Sequence, residues 1–542
     1  MRMNWNAFLI FITLISATVV TVLQALPPSP LPGNTPAVEF SAERAIEHIR
    51  IIAKTPRPTG SAALDEARSY VLAVLTNLGM ETATQRTDTF ENVMGRIKGT
   101  SSSEAVLLTA HLDSKDGSPG ASDDGSGVVI LLETARVLRA DAPLRNTVIF
   151  LFTDSEESGM HGAKAFIASH PWVQDVKVVI GFDAGGLGGP GILSTTSTDN
   201  GWLIRQLVQA DRYITGSSAI NALASSQTDF GRGFKVAGFS GYAFDLYWDV
   251  RIHTPEDNIE NLNPSSIQHQ GYHAVSLARH FGNLDQLDDP KESDAIYFSV
   301  LRLFVVCYSS AWAVPLAIAV AGIFGGVLVF GLRRKILTGR GIGYGAFVLL
   351  AGLIIAPLPN ILLGDWIHNV AFQVTDHSLN QPLEVGLIIA TTLILTLLWY
   401  ALSRRIGRAS LLDLSIGALV PMVFGMAGTS IALPELSFAF TWPLLFSLLA
   451  SASWFHWYAR RKGLIILIAG LLISGVANVV ILAQSILLGL FDQTTLTLVF
   501  LGVLCGFLVP HIHIMLGCTI ENQKQMQETR TAQHRLAKKD LL

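Results

Sequence analysis

The 542-residue sequence predicts two structural units of different kind: an α/β domain on a mainly parallel mixed sheet sandwiched by helices, and an α-helical membrane bundle of about eight spans in total. Three observations carry that expectation. The chain is too long for one ordinary core, so two or more units are expected. Half of the residues are apolar and the mean hydropathy is +0.43, yet the longest apolar runs all lie after residue 300, which confines the membrane signature largely to the second half. Between residues 40 and 285, short β-branched runs alternate with helical stretches, the pattern of a buried, mostly parallel sheet between helix layers.

The first element is the apolar run Ala7–Leu26, which follows Arg2 and lacks a small-x-small cleavage signal. It reads as an uncleaved signal anchor (1–26) of roughly the ~20 residues a bilayer crossing needs. Pro27, Pro28, Pro30, Pro32 and Pro36 then predict a stiff extended linker over 27–39. In the domain at 40–285, helices are expected near 40–53, 60–78 and 125–140, with Gly79 at a helix C-cap. Strands are expected at Ala105–Ala110, Thr147–Thr153 and Lys177–Phe182. A connector follows at 286–309, where the apolar Tyr297–Tyr308, interrupted by Arg302, reads as a strand or an interfacial segment. Seven further spans are expected within 310–516, near 310–332, 343–363, 384–402, 411–431, 437–458, 463–484 and 495–516, before a tail at 517–542.

Charge in the loops predicts an orientation, because Lys and Arg collect on the cytoplasmic side. Arg333, Arg334, Lys335 and Arg340 form one cluster; Arg404, Arg405 and Arg408 a second; Arg460, Arg461 and Lys462 a third; Lys524, Arg530, Arg535, Lys538 and Lys539 a fourth. The intervening loops carry Asp365, Asp376, Glu435 and Asp492. The alternation puts both termini in the cytoplasm and the 40–285 domain on the opposite side, and Arg2 agrees.

A formal charge of −4 without a basic stripe argues against a nucleic-acid partner. Cys307, Cys505 and Cys518 lie in or beside apolar stretches, and 40–285 contains none, so neither a disulfide framework nor a thiolate zinc site is available there. Asn263 is followed by Pro264 and no usable glycosylation sequon is found, which favours a bacterial setting.

Five residues of metal-binding type follow predicted strands or lie in loops: His111, Asp123, Glu157, Asp183 and His253. The carboxyl ends of strands are where open α/β sheets assemble ligand sites. Imidazole and carboxylate donors without thiolates suit catalytic zinc. Taken singly, His111-Leu-Asp is compatible with a surface turn, Asp123-Asp-Gly-Ser-Gly with a helix N-cap, and Glu156-Glu157 with a solvated surface. Their conjunction in this order is what points to a site.

The blocks His111-Leu-Asp-Ser, Gly120-Ala-Ser-Asp-Asp-Gly-Ser-Gly127, Asp154-Ser-Glu-Glu-Ser-Gly159, Gly181-Phe-Asp-Ala-Gly185 and His253-Thr-Pro-Glu-Asp257 resemble the metal-site blocks of the co-catalytic di-zinc aminopeptidases, which include bacterial leucyl aminopeptidases. The resemblance spans about 40–285 and implies two zinc ions per chain and peptide or protein N-termini as substrate. It implies that Asp123 bridges both metals, that His111 and Asp183 complete one site and Glu157 and His253 the other, and that Glu156 is the general base. It also implies a cis peptide between Asp123 and Asp124, and substrate-contacting residues in the stretch holding Tyr242 and Asp229. Asp113, two residues after His111, is placed to orient that imidazole.

The order of one span, a peptidase-like domain and then many spans resembles the membrane-anchored group of endoplasmic-reticulum metallopeptidases and fungal vacuolar membrane proteases, as do Gly241-Tyr-Ala-Phe-Asp-Leu-Tyr and Tyr297-Phe-Ser-Val-Leu-Arg-Leu-Phe. The chain departs from that group in its shorter membrane half and its lack of sequons. A carboxypeptidase or dipeptidase specificity stays open, because the sequence does not show how the substrate's terminus is held, and so do three readings of other kinds. One is a single-zinc, glutaminyl-cyclase-like enzyme, although His111 together with Asp183 favours two metals. Another is a retired peptidase acting as a binding module. The last is a transporter using His456, His511 or His513.

Overall fold

The computed structural model describes residues 26–457, apart from 212, 224–226, 246–250, 290, 301–303 and most of 356–409. The described residues divide into two compact units, Leu23–Ala311 and a second containing Trp312 onward.

The first unit is built on a seven-stranded sheet in the order β1-β2-β4-β3-β5-β7-β6. These strands are β1 (Glu81–Arg86), β2 (Glu91–Ile97), β3 (Ala105–His111), β4 (Thr147–Thr153), β5 (Val176–Asp183), β6 (Ile192–Thr196) and β7 (Ser240–Asp245). Strands β4, β3, β5 and β7 pair in parallel and form the centre; β1, β2 and β6 add antiparallel margins. The expected parallel sheet is therefore found, with three antiparallel strands around it. All seven residues of β3 and of β4 are buried, because helices cover both faces.

Alternation divides the core in two. Val106, Leu108, Val148 and Phe150 face one cluster, packed with helices α1 (Ala42–Ile52), α2 (Ala62–Asn77), α3 (Gly125–Ala140) and α7 (Pro264–Asn283). Leu107, Ile149 and Val179 face the other, against Phe166 of α4 (His161–Ser169) and Phe230 and Phe234 of a π-helical turn, Asp229–Phe234. Two further helices, α5 (Gly201–Ala210) and α6 (Ser218–Leu223), complete the layers. Helix starts are fixed locally: Ser41 and Ser61 side chains accept from Arg44 N and Leu64 N. Gly79 has φ 67°, the left-handed C-cap expected after α2.

The proline-rich stretch, expected as a stiff extended linker, instead turns twice and is bonded to the domain. Leu31 N donates to Gln268 Oε1 at 2.9 Å, and Arg44 Nη1 donates to the carbonyls of Gly33 and Thr35 at 2.8 and 2.9 Å. Two turns, Thr35 N to Pro32 O and Glu39 N to Pro36 O, satisfy part of this backbone, and side chains of α1 and α7 satisfy more of it. The connector carries an antiparallel pair, β8 (Ala295–Val300) and β9 (Phe304–Ser309), so the strand reading of Tyr297–Tyr308 holds.

The second unit is helical: α8 (Ala313–Arg333), α9 (Gly339–Ile355), α10 (Leu411–Ala432) and α11 (Phe438–Trp457). About eight spans were expected; among the described residues two helices, α8 and α10, are long and apolar enough to cross a membrane, while α9 and the apolar part of α11 are shorter. The expected spans at 7–26, 384–402, 463–484 and 495–516 lie wholly or mostly outside the described residues, as do His456's side chain, His511 and His513.

Candidate metal centre

The site gathers at the carboxyl ends of the central strands, where the sequence placed it. His111 ends β3, Asp183 ends β5, and the loop after β4 carries Glu156 and Glu157. Asp123 stands one residue before the N-cap of α3. The Asp124 carboxylate holds strand and helix together: Oδ2 accepts from His111 N at 3.1 Å and Oδ1 from Gly127 N at 3.0 Å. A Cβ at Gly127 would lie 2.4 Å from that carboxylate, which accounts for the small residue in the Asp-Asp-Gly-Ser-Gly run. The Asp123–Asp124 peptide is cis, as the resemblance implied.

Two donor triads form, His111–Asp123–Asp183 and Asp123–Glu157–His253, with Asp123 common to both. Its two oxygens divide between them: Oδ1 lies 3.0 Å from His111 Nε2, and Oδ2 lies 2.9 Å from His253 Nε2. Asp183 Oδ1 is 3.8 Å from His111 Nε2, and Glu157 Oε1 is 3.3 Å from His253 Nε2. All five expected ligands are thus brought together. The set is chemically suited to metal: two imidazoles and three carboxylates converge, and Glu157 Oε1 is buried without a hydrogen-bond partner.

The supporting contacts explain why the triads keep their shape. Asp113 is buried; its Oδ1 accepts from Glu156 N at 3.0 Å and its Oδ2 from Glu157 N at 3.1 Å, while its Oδ1 lies 3.5 Å from His111 Nδ1. Asp113 thus holds the Glu156–Glu157 loop through its carboxylate and the His111 imidazole through its carbonyl, 3.0 Å from Nδ1. Asp257 binds Ser122 N at 2.6 Å and Asp123 N at 3.1 Å, clamping the 253–257 turn to the bridging residue. Arg57, fully buried, donates to the carbonyls of Leu112, Pro119 and Gly120 and so shapes the loop after His111. Left-handed backbone recurs at the site: Ser155 (φ 63°), Ala184 (φ 45°) and His253 (φ 65°) each sit at or beside a ligand or the base, as strained residues do at functional sites.

Electrostatics follow from so many buried carboxylates. Burial, with Asp183, Asp229 and Asp123 nearby, pushes the Glu156 carboxyl up to about 10 against the opposing pull of His111. The Asp123 and Glu157 carboxylates that His253 faces raise its imidazole to about 10. Asp123, despite its burial, is held below the usual carboxylate range by His111 and His253.

Asp229 lines a small cavity with Thr109, His111 and Asp183, so it stands at the site as expected. Thr153 Oγ1 donates to its Oδ2, its Oδ1 has no partner, and burial raises its carboxyl to about 7. Tyr242, expected beside it among substrate-contacting residues, is not brought to the site. The strand alternation turns it into the core, where it is fully buried against Phe244 and Phe281 and its hydroxyl donates to Leu203 O at 2.5 Å. Asp245, unremarked in the sequence, pairs in register with Asp183; it is buried, accepts from Ser194 Oγ at 2.6 Å, and leaves Oδ1 unpartnered.

Residues 92–278 match the family model described as Peptidase family M28. The vacuolar membrane protease of Candida dubliniensis is 32% identical over 329 residues, covering 59% of this chain and 34% of that protein. Endoplasmic reticulum metallopeptidase 1 of Mus musculus is 29% identical over 265 residues, covering 47% of this chain and 28% of that protein. The matched part of the chain thus spans about a third of the length of these curated relatives. Among solved structures, an aminopeptidase from Aneurinibacillus sp. strain AM-1 aligns with 14% identity and a TM-score of 0.41, covering 47% of this chain and 98% of that one.

Proposed function

We infer that this chain, which carries a peptidase domain of family M28 and is therefore an enzyme, is a membrane-bound aminopeptidase that uses two zinc ions. The observation that carries the reading is the division of Asp123, one oxygen against His111 and the other against His253, with Asp183 and Glu157 completing a triad on either side. When bound, such a pair of ions would polarise the scissile carbonyl and make a nucleophile of water near neutral pH.

The chain's own groups do the rest. Glu156 takes the water's proton and delivers it to the leaving amine. Asp113 fixes it for that task through the Glu156 and Glu157 amides. The preference for a free N-terminus is supported by the unpartnered buried carboxylate oxygens of Asp229, which shares a cavity lining with Asp183, and of Asp245, its register partner, because such oxygens favour a cationic group. The bilayer is a partner through the apolar helices, and the charge alternation supports a catalytic domain on the non-cytoplasmic side with about eight spans in all.

The test is turnover of aminoacyl anilides by the detergent-solubilised full chain, with zinc content, for the native protein and Glu156→Gln. Turnover with two zincs, reduced by about 10²–10⁴-fold in the variant without loss of metal, is expected. One tightly bound zinc in fully active protein would sink the two-metal reading.

A further inference from the structure

The metal centre is crowded with carboxylates, and a cation, Lys115, stands against one of them, Glu157. Lys115 Nζ donates to Glu157 O at 3.0 Å and lies 3.3 Å from Glu157 Oε2, with its side chain 45% exposed. An ammonium has three N–H donors and two are engaged here, which leaves one for solvent or a ligand. The position is rigidly presented. Ser118 N donates to Lys115 O at 3.0 Å, closing a tight turn whose third residue, Gly117, has φ 83°. The base of that turn is tied down by Ser114, which exchanges backbone and side-chain hydrogen bonds with the buried Arg57.

We propose that Lys115 is a specificity-determining residue that receives a carboxylate of the substrate next to the scissile bond. The proposal rests on the peptidase reading. Glu157 Oε1 turns toward His253 and Oε2 toward Lys115, so the two oxygens have separate tasks. Once Glu157 shares its charge with a metal, the ammonium, 3.3 Å from Glu157 Oε2, is left under-neutralised beside one of the metal donors. The matching carboxylate has two sources: an acidic side chain on the N-terminal residue, or the α-carboxylate of a free dipeptide.

The experiment compares kcat/KM of the full chain for glutamyl- and leucyl-4-nitroanilide, and for Ala-Leu and its C-terminal amide, in native protein, Lys115→Met, Lys115→Arg and Lys115→Glu. Native protein is expected to favour one or both carboxylate-bearing substrates, and Lys115→Met to lose that preference by roughly tenfold or more, the worth of one charge-assisted hydrogen bond. A loss confined to the glutamyl anilide identifies the side chain, and one confined to the dipeptide identifies the α-carboxylate. Lys115→Arg should keep the preference, and Lys115→Glu should turn it toward a lysyl anilide. Selectivity unchanged in Lys115→Met and Lys115→Glu overturns the proposal, as does an equal fall for all four substrates with lost zinc, which would make Lys115 a support for Glu157 only. Failure of the peptidase reading looks different: native protein would then turn over none of the substrates.

Discussion

Asp113 shows how much one side chain can settle. It offers no atom to either donor triad, yet both its oxygens accept amide protons from the loop that carries the base and a ligand. Asp113→Asn keeps the size but turns an amino group toward one of those N–H donors, leaving a buried donor unpaired at a cost of about 1–3 kcal/mol. Zinc affinity in a chelator competition is expected to fall by about 10- to 100-fold, the usual effect of losing such support, with the fold retained by circular dichroism. Proton linkage belongs to the same scale. Without metal, His253 and Glu156 hold protons up to about pH 10. A ligand imidazole must be neutral and a base carboxylate ionised, so loading releases these protons and zinc affinity rises as pH rises toward that value. Calorimetry at pH 6, 7 and 8 in buffers of different ionisation enthalpy should show net proton release; uptake would contradict it. The five candidate ligands were legible because His111 and Asp183 close buried strands and the others lie in loops between elements that the apolar pattern marks. Asp257 and Arg57 were not, since what each does depends on partners far along the chain, 135 residues away for Asp257 and Ser122. Tyr242 misled because adjacency in sequence says nothing about the face a strand residue takes.

Elements differ in legibility for a related reason. Strands β3, β4 and β5 are buried on both sides and stand out as continuous apolar runs. Strand β1, Glu81-Thr-Ala-Thr-Gln-Arg, lies at the sheet's edge and has no buried residue, so only pairing with β2 reveals it. In the helical unit the apolar content announced α8 to α11, but their packing depends on glycines whose use is visible only in three dimensions. Helices α9 and α10 meet backbone to backbone: a Cβ on Gly417 would lie 2.3 Å from Ile342 O, and one on Gly345 would lie 2.7 Å from Leu414 O. Close approach of this kind is how membrane helices associate without a hydrophobic drive. Gly417→Leu should therefore destabilise the unit by about 1–3 kcal/mol, lowering the thermal midpoint in detergent. Gly428, where an added Cβ meets nothing within 4 Å on the same helix, supplies the control, and Gly428→Leu should leave the midpoint unchanged.

The whole molecule presents two surfaces of different character. The α/β unit exposes single apolar residues such as Val236 and Ile51, whereas the helical unit displays Ile318, Ile354, Phe424 and Ile431 among other exposed apolar side chains, each of the four at least two-thirds exposed, as helices do in a solvent as apolar as themselves. A bilayer supplies that solvent, and the Lys and Arg clusters decide which way the chain threads it. Clusters at 333–340, 404–408 and 460–462 alternate along the sequence with stretches carrying Asp365, Asp376, Glu435 and Asp492, a pattern that predicts one side for all the clusters. The positive-inside rule predicts a cytoplasmic side for these clusters and, with it, the opposite side for residues 40–285. Single cysteines tested in a Cys307→Ser, Cys505→Ser, Cys518→Ser background of intact cells should distinguish the sides with a membrane-impermeant maleimide. Cysteines at Ser101 and Asp285, exposed positions of the α/β unit, are expected to label without lysis, and one at Lys335 only after it. Labelling in the reverse order would place the proposed peptidase in the cytoplasm, where its substrates would be intracellular peptides and the charge alternation would need another cause.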